Sequence, residues 1–358
     1  MINQFLALFQ LAAAAAPAAA PARAYVANQD HATVSVIDVA TSTLVATVDF
    51  QALGFSATAK PHHTQVEPDG SYWYVTLIGA GRVLKLDREN RIVGSVATEV
   101  PGLMTLDPVA DRMVVARSMS AVNPPARVVV IRRSDMSVIE EYDSFFPRPH
   151  ALVMHPGGRY AYFGSLGVNQ LASLDLDSGE LQLVDVAGPA HTLTAFSVSP
   201  DGRWLLATGE TSNQLLVFDL ADNAKPRFVR GVPMEAGPFE SIFTWDGSMV
   251  AVTNLRANVV SLLDPEGWRV AAVLRDPSFM QPHGLALSPD GRYLYVSSRH
   301  QGGGAHDHEG MNATATGTVT VICIPTGELV KVIPVGNYAA GISAPRPAVP
   351  NARPSSCN

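Results

Sequence analysis

Ten histidines are spread unevenly over 358 residues, and their grouping is the first chemical signal. The densest group lies in Ser298-Arg-His-Gln-Gly-Gly-Gly-Ala-His-Asp-His-Glu-Gly-Met-Asn-Ala-Thr-Ala-Thr-Gly317. There His300, His306 and His308 keep company with Asp307, Glu309 and a run of three glycines. Neutral imidazole is a ligand for copper, zinc, iron and nickel, and carboxylates widen that choice. His306 and His308 alternate, so an extended backbone would point both the same way. A second group follows prolines: Pro61-His62-His63, Pro149-His150 and Pro282-His283. His31 and His191 stand apart from both groups. Four further residues carry candidate chemistry. Arg117 and Arg256 could bind a substrate carboxylate, and Glu210 and Glu240 could serve as a base or an extra ligand. Each of these four residue types is more often simply a solvated loop residue.

The elements that must position these residues come from an internal repeat. Phe196-Ser-Val-Ser-Pro-Asp-Gly-Arg-Trp-Leu-Leu-Ala-Thr and Leu285-Ala-Leu-Ser-Pro-Asp-Gly-Arg-Tyr-Leu-Tyr-Val-Ser match almost residue for residue, with weaker copies from Val66, Val153 and Phe243. The turn glycines fall at 70, 158, 202, 247 and 291, so the last three steps are 44, 45 and 44 residues. The first gap, 158 − 70 = 88, holds a degenerate copy at Met104-Thr-Leu-Asp-Pro-Val-Ala-Asp-Arg-Met-Val-Val. Each period contains four short apolar strands, A to D, with a Gly-containing turn between A and B. Four strands every 40–45 residues predict an all-β, seven-bladed β-propeller. Six whole blades start near 61, 101, 149, 192, 238 and 281. The first blade has no A strand before Tyr25-Val-Ala-Asn, and the missing strand is Tyr338-Ala-Ala-Gly-Ile-Ser at the far end. Closure by both termini would remove the open edges of a linear array.

This topology converts sequence position into place. The D-to-A connections and B-to-C loops share one end of the ring, the mouth, and the A-to-B turns share the other. His62, His150 and His283 then head strand A of blades 2, 4 and 7, each seven residues before the turn position held by Asp69, Gly157 or Asp290. His63 adjoins the first of these. His191 falls in the D-to-A connection of blade 5, His31 in the B-to-C loop of blade 1, and His300, His306 and His308 in that of blade 7. Only His155 goes to the turn end. The blade 7 loop is about twenty residues long, and loops of that size in compact domains are functional or disordered.

The run Tyr-Val-Ala-Asn…Val-Ser-Val-Ile-Asp-Val-Ala-Thr-Ser-Thr-Leu-Val-Ala-Thr-Val over 25–48, with Pro-His-Gly…Ser-Pro-Asp-Gly over 282–291, resembles the YVTN-type propeller repeat. The likeness covers the chain from 25 to 343 and places it near the haem d1-like and nitrous oxide reductase N-terminal-like propellers. Within that group the resemblance implies surface-binding modules, lactonase-like enzymes, quinohaemoprotein subunits or a multi-histidine copper site. Fold alone does not choose among them.

Residues 1–24 read as a signal peptide, with an apolar stretch from Phe5 to Ala16 and a small-residue site ending Ala22-Arg23-Ala24, which predicts a mature start at Tyr25 and a periplasmic or secreted protein. The segment 25–343 is the propeller, and 344–358, rich in Pro, Ala and Ser, reads as a disordered tail. Only two cysteines occur, Cys323 and Cys357, and no spacing rule pairs them. There is no Cys-x-x-Cys-His for c-type haem, no Gly-x-Ser-x-Gly elbow and no transmembrane stretch after residue 24. A net charge of −7 argues against nucleic acid as a partner. Three functions stand at this point. The first is a metal site of copper or zinc at the mouth, formed from His31, His62, His63, His150, His191, His283, His300, His306 and His308. The second is a non-catalytic platform for a small molecule or a periplasmic protein at that face. The third is a lactonase-like hydrolase or quinoprotein-associated subunit.

Overall fold

The computed structural model describes residues 21–118, 122–299, 316–347 and 356–357. They form 28 strands in seven four-stranded antiparallel sheets, with no helix among them. Apolar strands of five to seven residues joined by tight turns cannot bury their faces singly, so each sheet packs on its neighbours. The first blade pairs Ala339–Ser343 with Arg23–Asn28, as the missing A strand requires, followed by Thr33–Asp38 and Thr43–Asp49. Strand Arg23–Asn28 begins two residues upstream of the expected mature start, and Ala24 is fully buried.

The other six A strands are Pro61–Val66, Pro101–Leu106, Pro149–Met154, Leu193–Val198, Pro238–Phe243 and Pro282–Leu287. Each touches the next around the ring, so the A strands wall a central channel. Apolar wedges fill the space between blades. Tyr25 stacks on Trp73 at 4.5 Å between blades 1 and 2, and both are buried. A fully buried ring of this size contributes about 2–3 kcal/mol. The outer strands are half exposed.

At the turn end, Gly70, Gly158, Gly202, Gly247 and Gly291 all have positive φ, between 69° and 80°. The turn aspartates close their own loops: Asp69, Asp201, Asp246 and Asp290 accept from the backbone N–H two residues on.

The mouth end is built differently. Every A strand is preceded by a left-handed residue: Lys60, Val100, Arg148, Thr192, Gly237, Gln281 and Tyr338, with φ from 40° to 71°. Only one of the seven is glycine, and the left-handed region costs other residues roughly 1–2 kcal/mol. In six of the seven the conformation persists because the same carbonyl closes the loop beyond strand B, as in Ile78 N–H to Lys60 O (3.0 Å) and Leu166 N–H to Arg148 O (3.1 Å). Within its first four residues, each of the seven A strands also carries a register shift against strand B, a β-bulge. The extra N–H of the bulge is satisfied in four blades by a strand-B hydroxyl thirteen residues on. His63 donates to Thr76 (3.1 Å), Ala195 to Thr208 (3.0 Å), Glu240 to Thr253 (3.0 Å) and Gly284 to Ser297 (2.9 Å). Three of those hydroxyls donate onward to the next blade's A strand, at Phe239 O, His283 O and Ala340 O. Bulges bend a strand and re-aim its side chains. Here they sit at the histidines.

The segment after the last A strand is held at both described ends. Arg346 lies with its guanidinium carbon 5.3 Å from the Trp245 ring centroid, and Cys357 forms a disulfide with Cys323. The Tyr293 hydroxyl donates to Cys357 O at 2.6 Å.

Candidate functional site at the channel mouth

In blades 2, 4, 6 and 7 the second residue of the A strand is His62, His150, Phe239 and His283, and these four rings meet at the mouth. The His62 ring centroid lies 5.9 Å from that of His150 and 6.3 Å from that of His283. Phe239 packs against His283 at 4.4 Å. All three imidazoles are at least 95% buried.

Their hydrogen bonds are incomplete. His150 Nδ1–H donates to Thr194 O at 2.7 Å, and His62 Nδ1 meets Gln29 Oε1 at 3.1 Å. Those bonds fix tautomers in which Nε2 carries a lone pair. His62 Nε2 and both nitrogens of His283 are buried with no partner among the described residues. Leaving a buried polar atom unpaired costs about 1–3 kcal/mol, so a structure that does so repeatedly at one place invites a ligand there.

Arg299 completes the mouth. It follows the B strand of blade 7, Tyr293–Ser298, and its guanidinium carbon lies 5.2 Å from the Phe239 ring and 4.5 Å from the Tyr338 ring. Its Nε is buried without a partner, and no carboxylate among the described residues forms an ion pair with it. Arg148 Nε is buried and unpaired as well.

The electrostatics follow. Burial pushes the His62 and His283 pKa values well below 6.5, reinforced for His62 by the neighbouring imidazoles and for both by Arg299. Burial brings His150 to about 4 despite its bond to Thr194, and His63 to about 3. Burial also raises Glu240 to about 8, against the hydrogen bond it accepts from Leu285 N–H. At neutral pH the mouth therefore holds uncharged imidazoles beside an arginine charge that Glu210 and Asp30 feel only from a distance, with no carboxylate in contact with it among the described residues.

Below the ring, His63 and Glu240 line a cavity of about 190 Å³ running down the channel between Leu103, Leu152 and Leu285 to Arg346. His63 Nδ1 accepts from Met104 N–H at 3.3 Å. The wall is tight where blade 7 meets blade 1. A Cβ on Gly284 would come within 2.7 Å of Ala340 O.

Other expected residues do not join this cluster. His191 is a satisfied structural residue, with Nδ1 on Ser212 Oγ and Nε2 on Ala187 O. His31 Nδ1 accepts from Asn337 N–H. Arg117 is ion-paired with Glu99 and Glu141, and Arg256 donates to Glu210 O and Asn213. His300, His306 and His308 lie outside the described residues. Among the described residues, no three His, Cys, Asp or Glu side chains are arranged to hold a metal ion. Arg299, Tyr338, Phe239 and Arg148 were not among the expected site residues. The available signal for Arg299 was its place just past strand B, the region that offered Arg117 and Arg256.

The fold defines the chain as a seven-bladed β-propeller. No family model matches it, and no curated protein matches it in sequence. Solved structures share its shape. A functionally unknown protein from Desulfotomaculum acetoxidans DSM 771 is 15% identical with a TM-score of 0.72, over 91% of this chain and 99% of that one. Hydrazine synthase of Kuenenia stuttgartiensis is 21% identical with a TM-score of 0.64, over 78% and 87%. Dihydro-haem d1 dehydrogenase, solved in complex with DHE, is 16% identical with a TM-score of 0.60, over 89% and 74%. At these identities the likeness concerns the fold alone. No helix among the described residues is long and apolar enough to cross a membrane.

Proposed function

We propose that this propeller binds a small carboxylate-bearing molecule at the channel mouth, with Arg299 holding the carboxylate and His62, His150 and His283 lining its pocket. One observation carries the reading: the Arg299 guanidinium is walled by Phe239 and Tyr338 and has no carboxylate ion pair among the described residues. An arginine fork matches a carboxylate, and a charge-assisted bond of this kind contributes about 1.5–3 kcal/mol. Glu240, protonated at neutral pH, lies next along the channel as a proton donor. The test is calorimetric titration of the full chain with acetate, succinate and citrate at pH 7. Saturable binding that falls roughly 10–100-fold in Arg299→Gln is the expected result. An absence of binding, or equal binding by the variant, would overturn the reading.

A second reading, a copper or zinc site at the same mouth, is favoured by the tautomers of His62 and His150. Metal-ligating histidines commonly commit their other nitrogen to an oxygen acceptor, as these two do. The positive charge of Arg299 opposes it. Untagged protein loaded with copper or zinc would retain close to one equivalent, lost in His62→Ala, if this reading held. Export by the signal peptide belongs to the proposal too, and the Cys323–Cys357 disulfide supports an oxidising compartment. The YVTN-type assignment rests on the repeat motif at 25–48.

A further inference from the structure

Three of the chain's four tryptophans meet at the turn end, far from the mouth. Trp204 opens the B strand of blade 5, Trp245 follows the A strand of blade 6, and Trp268 precedes that blade's outer strand. Together they line a groove of about 760 Å³ between the two blades. The indoles of Trp204 and Trp268 stand nearly perpendicular, at 77°, with centroids 5.3 Å apart, so they form a corner. Trp245 and Trp268 each retain 9% exposure. Asp201, Asp246 and Glu266 also line the groove, against a single basic side chain, Arg203. Neither Asp201 nor Glu266 has an ion-pair partner among the described residues.

The groove already holds one cation of its own chain, Arg203. The Arg203 guanidinium carbon sits 5.1 Å from the Trp204 ring, and on the channel side of Trp245, outside the groove, that of Arg346 sits 5.3 Å from the indole. The negative face of an indole draws positive charge, and Trp is the strongest such acceptor. Asp201 and Glu266 against Arg203 give the groove a negative balance that repels anions. A flat guanidinium can lie on only one wall of a perpendicular corner, whereas a round cation touches both.

We propose that this groove is a binding site for a quaternary ammonium group, seated in the corner of Trp204 and Trp268 and neutralised by Glu266 and Asp201. The site is independent of the mouth, and its ligand has the opposite charge.

Titration of the full chain with tetramethylammonium chloride, against sodium chloride at equal ionic strength, tests it by tryptophan fluorescence and calorimetry. Saturable binding is expected, weakened at least tenfold in Trp268→Leu and several-fold in Glu266→Lys, and unchanged in Arg299→Gln. Glu266 is exposed, so its variant keeps the test decisive if the tryptophan variant fails to fold. No binding above the sodium control, or full affinity in Glu266→Lys, would overturn the proposal.

Discussion

The two ends of the same channel solve the same problem in opposite ways. At the turn end, each Pro-Asp-Gly copy satisfies its own polar groups within a few residues, with glycine in the left-handed conformation. At the mouth, left-handed residues are mostly not glycine, the strands bulge, and imidazole and guanidinium nitrogens are left unpaired. The turn end is arranged for stability. The mouth spends some of it, in the manner of a site prepared for a ligand.

Acid should expose the difference most strongly. The unfolded chain takes a proton on each histidine near pH 6.5, whereas folded His150 does so only near 4 and folded His63 near 3. Between those values the unfolded state binds more protons, so stability falls as the pH drops. His150 alone accounts for about 3 kcal/mol by pH 4. Glu240 has the opposite sign: its folded pKa of about 8 lies above the unfolded value, so it withdraws stability as pH rises from 4.5. Denaturant unfolding between pH 4 and 8 should show a steep acid limb and a shallower alkaline one. Glu240→Gln should flatten the latter and steepen the acid limb between pH 4.5 and 6.5, where the two effects oppose each other, and an acid limb absent from wild type would refute the buried neutral histidines.

Gly202→Ala should cost on the order of 2 kcal/mol. Its φ is +76°, and the new Cβ would lie 2.6 Å from the His155 ring. His283→Leu should be smaller and of the other sign, a gain of about 1 kcal/mol, because it removes two unpaired buried nitrogens at similar volume. Chemical unfolding of both variants at pH 7 measures the contrast. If His283→Leu destabilises the fold as much as Gly202→Ala, the mouth is ordinary core.

Much of the ring is legible in sequence because its turns are local. Pro-Asp-Gly requires positive φ within three residues, and the observed blade starts at 61, 101, 149, 193, 238 and 282 agree with the repeat to within a residue. The gathering of His62, His150 and His283 follows from their shared place in strand A. The role of Arg299 was not legible, because it depends on walls from blades 6 and 1 and on a missing partner, neither of which leaves a local trace. The bulges were hidden for a related reason. Their compensation comes from Thr76, Thr208, Thr253 and Ser297, thirteen residues downstream, a spacing that means nothing until the strands are paired. The disulfide joins a strand to a tail that carries no repeat.

The pairing of Val26 with Ile342 joins positions 342 − 26 = 316 residues apart. A ribosome adding about 5–20 residues per second delivers the second partner roughly 15–60 s after the first. Throughout synthesis, strand Arg23–Asn28 waits with one edge bare, and the ring has a missing stave. Any nascent chain released early would be an open, sticky arc, so the last strand acts as the molecule's certificate of completion.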